Sequence, residues 1–219
     1  MKWPWFNKEK TDYPQFWLDY INTFKNSPKT AINNTRFIAF DTETTGFDKK
    51  TDRILSIGAV SIINHTISTK NTLELYLKQE VFKAETVKIH EIIKSDTLNK
   101  IEEIDAIKTF LAYIKNDVLI AHHAMFDYTM VNAMLKRHGL GKLKNKIIDT
   151  GSIYKKTKHI IYQDNLKNYS LDELSQELNV PSIDRHTASG DALITAIAFL
   201  KIKSRLKKLN KLNWKTLLY

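Results

Sequence analysis

The chain of 219 residues contains no cysteine. That excludes disulfides and thiolate metal centres, and it fits a reducing compartment. Glycine and proline are scarce, at 6 and 4 residues, and no repeat, low-complexity tract or Gly/Ser linker divides the chain. A long apolar run is missing as well. The opening Met1-Lys2-Trp3-Pro4-Trp5-Phe6 leads into Asn7 and Lys8, which makes neither a signal peptide nor a membrane span. The expectation is a soluble, cytoplasmic protein without membrane association. Acidic residues are in deficit, with 24 Asp and Glu against 34 Lys and Arg, a net charge of +10 and a pI near 9.5. Such an excess attracts polyanions, of which phosphate backbones are the commonest. From Lys201 to the C-terminus there are seven Lys or Arg and no acid. What is present in quantity is apolar: 42% of residues are hydrophobic, enough for a core.

Residues 1–35 are aromatic and basic, and they read as a helical extension. Trp17, Tyr20, Ile21 and Phe24 fall at helical spacing and predict an amphipathic helix after Pro14 that packs on the main domain. The main domain, 36–200, begins with Phe37–Phe40, a short apolar run typical of a buried strand. Arg53–Ile63 and Ile67–Leu77 are β-rich and are separated by the turn signal Asn64-His65. Helical periodicity follows at Ile104, Ile107, Phe110, Leu111 and Ile114. Val118–Ala121 reads as a strand, then a helix ending before Gly139, then a strand at Ile147-Ile148. Ser170-Leu171-Asp172-Glu173 has capping-box spacing, and a long helix runs from Thr187 into a basic helical tail, 201–219. A strand meander followed by alternating helices and strands is an α/β pattern with a mixed sheet.

Chemistry concentrates beside the short strands. Asp41 and Glu43 follow the first; alternation along a strand turns them to one side. His122-His123-Ala124-Met125-Phe126-Asp127 follows the fourth. His186 and Asp191 lie near the start of the last long helix, separated by less than half a turn around its axis. Brought together, four carboxylates repel, and divalent cations are the usual relief. Each piece alone is ordinary: an Asp-x-Glu is most often a solvated loop, and an Asp after Phe is most often a helix cap. His122-His123 lacks the paired spacing of a zinc centre. Their order along the chain carries the signal.

Asp41-Thr42-Glu43-Thr44-Thr45-Gly46, with Asp52-Arg53-Ile54 and Ile57-Gly58-Ala59-Val60, resembles the first motif of the DEDDh exonucleases. That superfamily includes the proofreading epsilon subunit of bacterial DNA polymerase III, RNase T and oligoribonuclease. Ala121–Asp127 is similar to the second motif and His186–Ala192 to the third, while Ile148-Asp149-Thr150 and Tyr169–Leu174 match further landmarks. The likeness runs from about Arg36 to about Leu200. Two positions depart from it: His123 stands where the family usually has Asn, and Ser56 where it usually has Glu.

The resemblance implies a ribonuclease-H-like fold, a mixed five-stranded sheet flanked by helices. It implies that Asp41, Glu43, Asp127 and Asp191 hold two Mg²⁺ or Mn²⁺ ions, with His186 as general base. It further implies removal of nucleoside 5′-monophosphates from 3′ ends, with Thr44, Phe47, His90, His122 and His123 against the terminal nucleotide. The first motif is closer to the epsilon subunits than to oligoribonuclease. The expected substrate is therefore single-stranded DNA or a frayed DNA 3′ end, in proofreading or repair, with a DNA polymerase as a possible associate. An RNA-trimming exoribonuclease is the alternative among enzymes, and a non-catalytic nucleic-acid-binding module the alternative outside them.

Overall fold

The computed structural model describes residues 12–25, 30–79, 99–158, 167–182 and 184–218. Helix α1 (Gln15–Asn22) precedes the meander β1 (Phe37–Thr44), β2 (Ile54–Ile63) and β3 (Thr66–Leu77). After β4 (Lys100–Ile101) come α2 (Glu103–Ile114), β5 (Val118–Ala121), α3 (Met125–Arg137), β6 (Ile147–Asp149) and α4 (Thr150–Lys155). The chain closes with α5 (Leu171–Leu178), α6 (Ala188–Lys208) and α7 (Trp214–Leu218). The sheet has six strands in the order β4-β3-β2-β1-β5-β6. The meander is antiparallel, whereas β5 and β6 run parallel to β1. The sequence reading of five strands missed β4, a two-residue edge strand parallel to β3 that is too short to show alternation.

Strand periodicity sorts the core into two layers. Ile38, Phe40, Ile57, Ala59, Leu119 and Ala121 join α1, α2 and α3 on one face. Phe37, Ala39, Val60, Ile62, Val118 and Ile120 join α4–α7 on the other. The aromatic stripe of α1 lies against the domain. Trp17 and Tyr20 are buried, and the Tyr20 hydroxyl donates to Asn145 Oδ1 at 2.6 Å and accepts from Lys144 N at 2.8 Å. Helix α6 runs unbroken past residue 200, with Ile202 and Leu206 buried, and Leu217 of α7 is buried too. Among the described residues, no helix is long and apolar enough to cross a membrane.

Local chemistry explains the joints. Asn64 and His65 both adopt positive φ, 48° and 67°, as a two-residue hairpin of primed type requires. Helix α3 ends in a Schellman pattern: Gly139 N donates to Lys136 O at 3.1 Å and Leu140 N to Leu135 O at 3.0 Å, with Gly139 at φ 68°. The capping box at the start of α5 forms in full, Glu173 N to Ser170 Oγ at 3.2 Å and Ser170 N to Glu173 Oε2 at 2.9 Å.

Candidate active site

Asp41 and Glu43 continue the Phe37, Ala39 alternation of β1 and so face the α6 layer, whereas Thr42 faces the α3 layer. Asp191 lies in the first turn of α6. One carboxylate oxygen each of Asp41, Glu43 and Asp191 lies within 4.8 Å of the other two. Gly58 makes this approach possible. It is the β2 partner of Asp41, and a Cβ there would stand 2.1 Å from Ala188 C and 2.2 Å from Ser189 N, inside the backbone that opens α6. Gly190 does the same one residue before Asp191, where a Cβ would lie 2.0 Å from Asp184 O.

Asp127, the fourth expected carboxylate, is not one of these three and is held instead against Thr42, the residue between Asp41 and Glu43. It sits in the first turn of α3, buried, and its Oδ1 accepts from Thr42 N at 3.0 Å and from Thr42 Oγ1 at 2.6 Å. Burial pushes its carboxyl up to about 7, with the Thr42 hydrogen bonds opposing and the Glu43 charge adding. Burial also lifts the Asp41 carboxyl well above the usual range, followed by repulsion from Asp127, Asp191 and Glu43, while Arg185 opposes. Asp191 is raised by burial, with Arg185 again opposing. All four expected carboxylates therefore bear on one another electrostatically.

The group suits a divalent cation. Asp191 Oδ1 is buried and has no hydrogen-bond partner among the described residues. A buried carboxylate oxygen facing other carboxylates lacks a positive charge, and hard cations take oxygen ligands of this kind. Asp191 Oδ2 is bound by Arg185 Nη1, and the same guanidinium grips Asp172 through Nε at 2.5 Å and Nη2 at 3.0 Å. Arg185 was missed in the sequence; its only signal there was an arginine directly before His186. His186 is exposed at φ 65°, beside the Asp172 and Asp191 carboxyls.

The other expected contacts are scattered around this centre. Thr44 is buried, its hydroxyl donating to Gly46 O at 2.8 Å. Phe47 is 90% exposed, with its ring 5.7 Å from that of Phe126. Both line an open recess of about 530 Å³ with Met125, Thr129 and Met130. Met125 and Phe126 were not singled out in the sequence, although both stand in the second motif; Met125 is exposed in the structure. Asp52 shapes the loop that carries Phe47, accepting from Thr45 Oγ1 at 3.0 Å and Asp48 N at 2.8 Å.

His122 is buried, and both of its ring nitrogens are engaged inside the fold. Nε2 lies 2.9 Å from Tyr169 O and Nδ1 2.8 Å from Thr150 Oγ1. A carbonyl only accepts, so Nε2 carries the proton and Nδ1 accepts from Thr150. Burial lowers this histidine to about 4, and the neutral ring links β5, α4 and the approach to α5. His123 is exposed at φ 54°, its ring 4.4 Å from that of His122. Left-handed backbone of this kind favours Asn, the usual family residue, and tolerates His. His90 lies outside the described residues.

A six-stranded mixed sheet with acids gathered at β1 and at the openings of two helices defines a class, an α/β domain built to gather carboxylates at one point. Residues 38–199 match the family model described as exonuclease, of the RNase T type, and the chain belongs to that exonuclease family. It is 35% identical over 177 residues to the DNA polymerase III PolC-type of Caldanaerobacter subterraneus subsp. tengcongensis, covering 79% of this chain and 12% of that protein. It is 28% identical over 184 residues to the Staphylococcus aureus protein of the same name, covering 84% and 12%. The chain thus spans about an eighth of the length of these relatives. Among solved structures, exonuclease X in complex with 5′ overhanging duplex DNA matches with a TM-score of 0.60 and 22% identity, covering 84% of this chain and 97% of that one. E. coli exonuclease I in complex with a dT13 oligonucleotide matches with a TM-score of 0.66 and 14% identity, covering 81% and 43%. The fold is the ribonuclease-H-like one of these exonucleases.

Proposed function

We propose that this chain is a metal-dependent 3′→5′ exonuclease acting on single-stranded DNA or frayed DNA 3′ ends. The observation that carries the reading is the buried Oδ1 of Asp191, unpartnered among the described residues and within reach of Asp41 and Glu43. Asp41, Glu43, Asp127 and Asp191 would hold two Mg²⁺ or Mn²⁺ ions, which would supply positive charge at the phosphate and a lowered pKa for the attacking water. His186 takes the proton from that water as it attacks phosphorus. The P–O3′ bond breaks, the 3′ oxygen leaves with the shortened strand, and a nucleoside 5′-monophosphate is released.

Phe47 offers its exposed ring to the terminal base, Phe126 backs it, and Thr44 and His123 border the same nucleotide. His122 acts in this reading by fixing the β5 end from which His123 projects. Both the likeness to PolC-type polymerase III chains and the DNA bound by the structural relatives favour DNA. The same likeness supports a place in proofreading or repair beside a polymerase. The test compares equal-length DNA and RNA strands, then a mispaired and a paired DNA terminus, under one Mg²⁺ and salt condition. DNA should be cut faster than RNA, and the mispaired end faster than the paired one, because unpairing is cheapest there. RNA cut tenfold faster would replace this reading with the RNA-trimming one.

A further inference from the structure

We propose that Arg185 is a built-in competitor of the metal, a cation that occupies Asp191 until a divalent ion displaces it. The inference rests on the metal-site reading above and concerns a residue that reading does not use. Three observations support it. The guanidinium is shared between two carboxylates from different helices, Asp191 of α6 and Asp172 of α5. It grips Asp172 with two hydrogen bonds, at 2.5 and 3.0 Å, but Asp191 through Nη1 and Oδ2 only, leaving Asp191 Oδ1 buried without a partner among the described residues. Arg185 therefore meets half of the charge demand at Asp191 and has a bidentate position to keep when it lets go. The two carboxylates also differ in setting: the Asp172 side chain is 50% exposed and that of Asp191 9%.

The release has a further consequence. Arg185 lies between Asp184 and His186, whose φ values are 47° and 65°. A side chain pinned to Asp191 fixes this left-handed loop, and with it the position of His186, as long as the metal is absent. Displacement leaves the loop held by Asp172 alone and frees His186 to turn toward substrate. Arg185 is thus a positioning residue that couples metal entry to placement of the base.

The experiment is calorimetric titration of the metal-stripped full chain with Mn²⁺, without nucleic acid, for wild type, R185M and R185K. R185M should bind Mn²⁺ about tenfold more tightly than wild type, the scale of one charge-assisted hydrogen bond removed from the competing state. R185K keeps the charge but not the fork that spans both carboxylates, so it should also bind more tightly, by a smaller factor. It carries the test should R185M fail to fold. Unchanged or weaker binding by R185M would show that Arg185 orients the site instead, and overturns the proposal. Tightening in R185M with none in R185K would mean that only the field of the charge acts, which overturns the displacement as well. Absence of Mn²⁺ binding in every variant would instead remove the metal site itself.

Discussion

Thr42 donates its backbone N–H and its hydroxyl to a single oxygen of Asp127, at 3.0 and 2.6 Å. The pairing joins the two faces of β1: Asp41 and Glu43 point toward α6 while the residue between them holds the acid of α3. Burial nevertheless dominates at Asp127, raising its carboxyl from 3.8 to about 7. Between those values the folded state holds this proton more tightly than the unfolded chain does. Stability contributed by Asp127 is therefore present at low pH and lost as pH rises through about 7. The metal-free protein should accordingly melt at a lower temperature at about pH 8 than at about pH 5.

Asp127→Asn keeps an acceptor for both Thr42 donors and removes the charge. At about pH 8 without metal the variant should gain on the order of 1 kcal/mol or more, each kcal/mol raising Tm by roughly 2–4 °C at this chain length. Its pH slope should flatten while its nuclease activity is lost. A variant that melts no higher than wild type at that pH would show that Asp127 carries no buried charge.

Gly58→Ala tests how Asp191 is delivered to the site. The new methyl would meet the Ala188–Ser189 backbone at 2.1 to 2.3 Å, so α6 must retreat from β2. We expect a loss of about 1–3 kcal/mol, the scale of an overpacked core, and loss of Mn²⁺ binding. Thermal melts and Mn²⁺ titration check both. Wild-type binding in a folded variant would mean that the close approach does not position the cluster.

Much of this was legible beforehand for physical reasons. Alternation along β1 placed Asp41 and Glu43 on one side, and the capping box, the Asn64-His65 turn and Gly139 marked element ends through local rules alone. What stayed hidden was tertiary. Strand β4 is only Lys100–Ile101, too short for periodicity. Arg185 gains its meaning only when α5 and α6 bring Asp172 and Asp191 to it. The first-turn position of Asp127 reads as a cap in sequence, whereas its partner is Thr42, 85 residues away. At Ser56, opposite Glu43, the hydroxyl is buried without a partner among the described residues.

His186→Ala should lower turnover by roughly 10²–10⁴-fold, the usual contribution of a general base, while leaving Mn²⁺ affinity near wild type. Near-full activity in the variant would remove His186 from proton transfer.

Phe47→Ala should raise the apparent substrate constant more than it lowers turnover, since stacking contributes on the order of 1–3 kcal/mol per base. The ring is 90% exposed, so the fold should not suffer. Steady-state kinetics on one DNA oligonucleotide separate the two effects, and a fall confined to turnover would place Phe47 elsewhere in the reaction.

The most direct measurement follows a 5′-labelled single-stranded DNA oligonucleotide incubated with the full chain in Mg²⁺, and again in excess EDTA. The account predicts a ladder of labelled strands shortening one nucleotide at a time from the 3′ end, nucleoside 5′-monophosphates as products, and no cleavage in EDTA or with Asp41→Ala. Undiminished cleavage in EDTA, or release of the 5′ label as the first product, would contradict it.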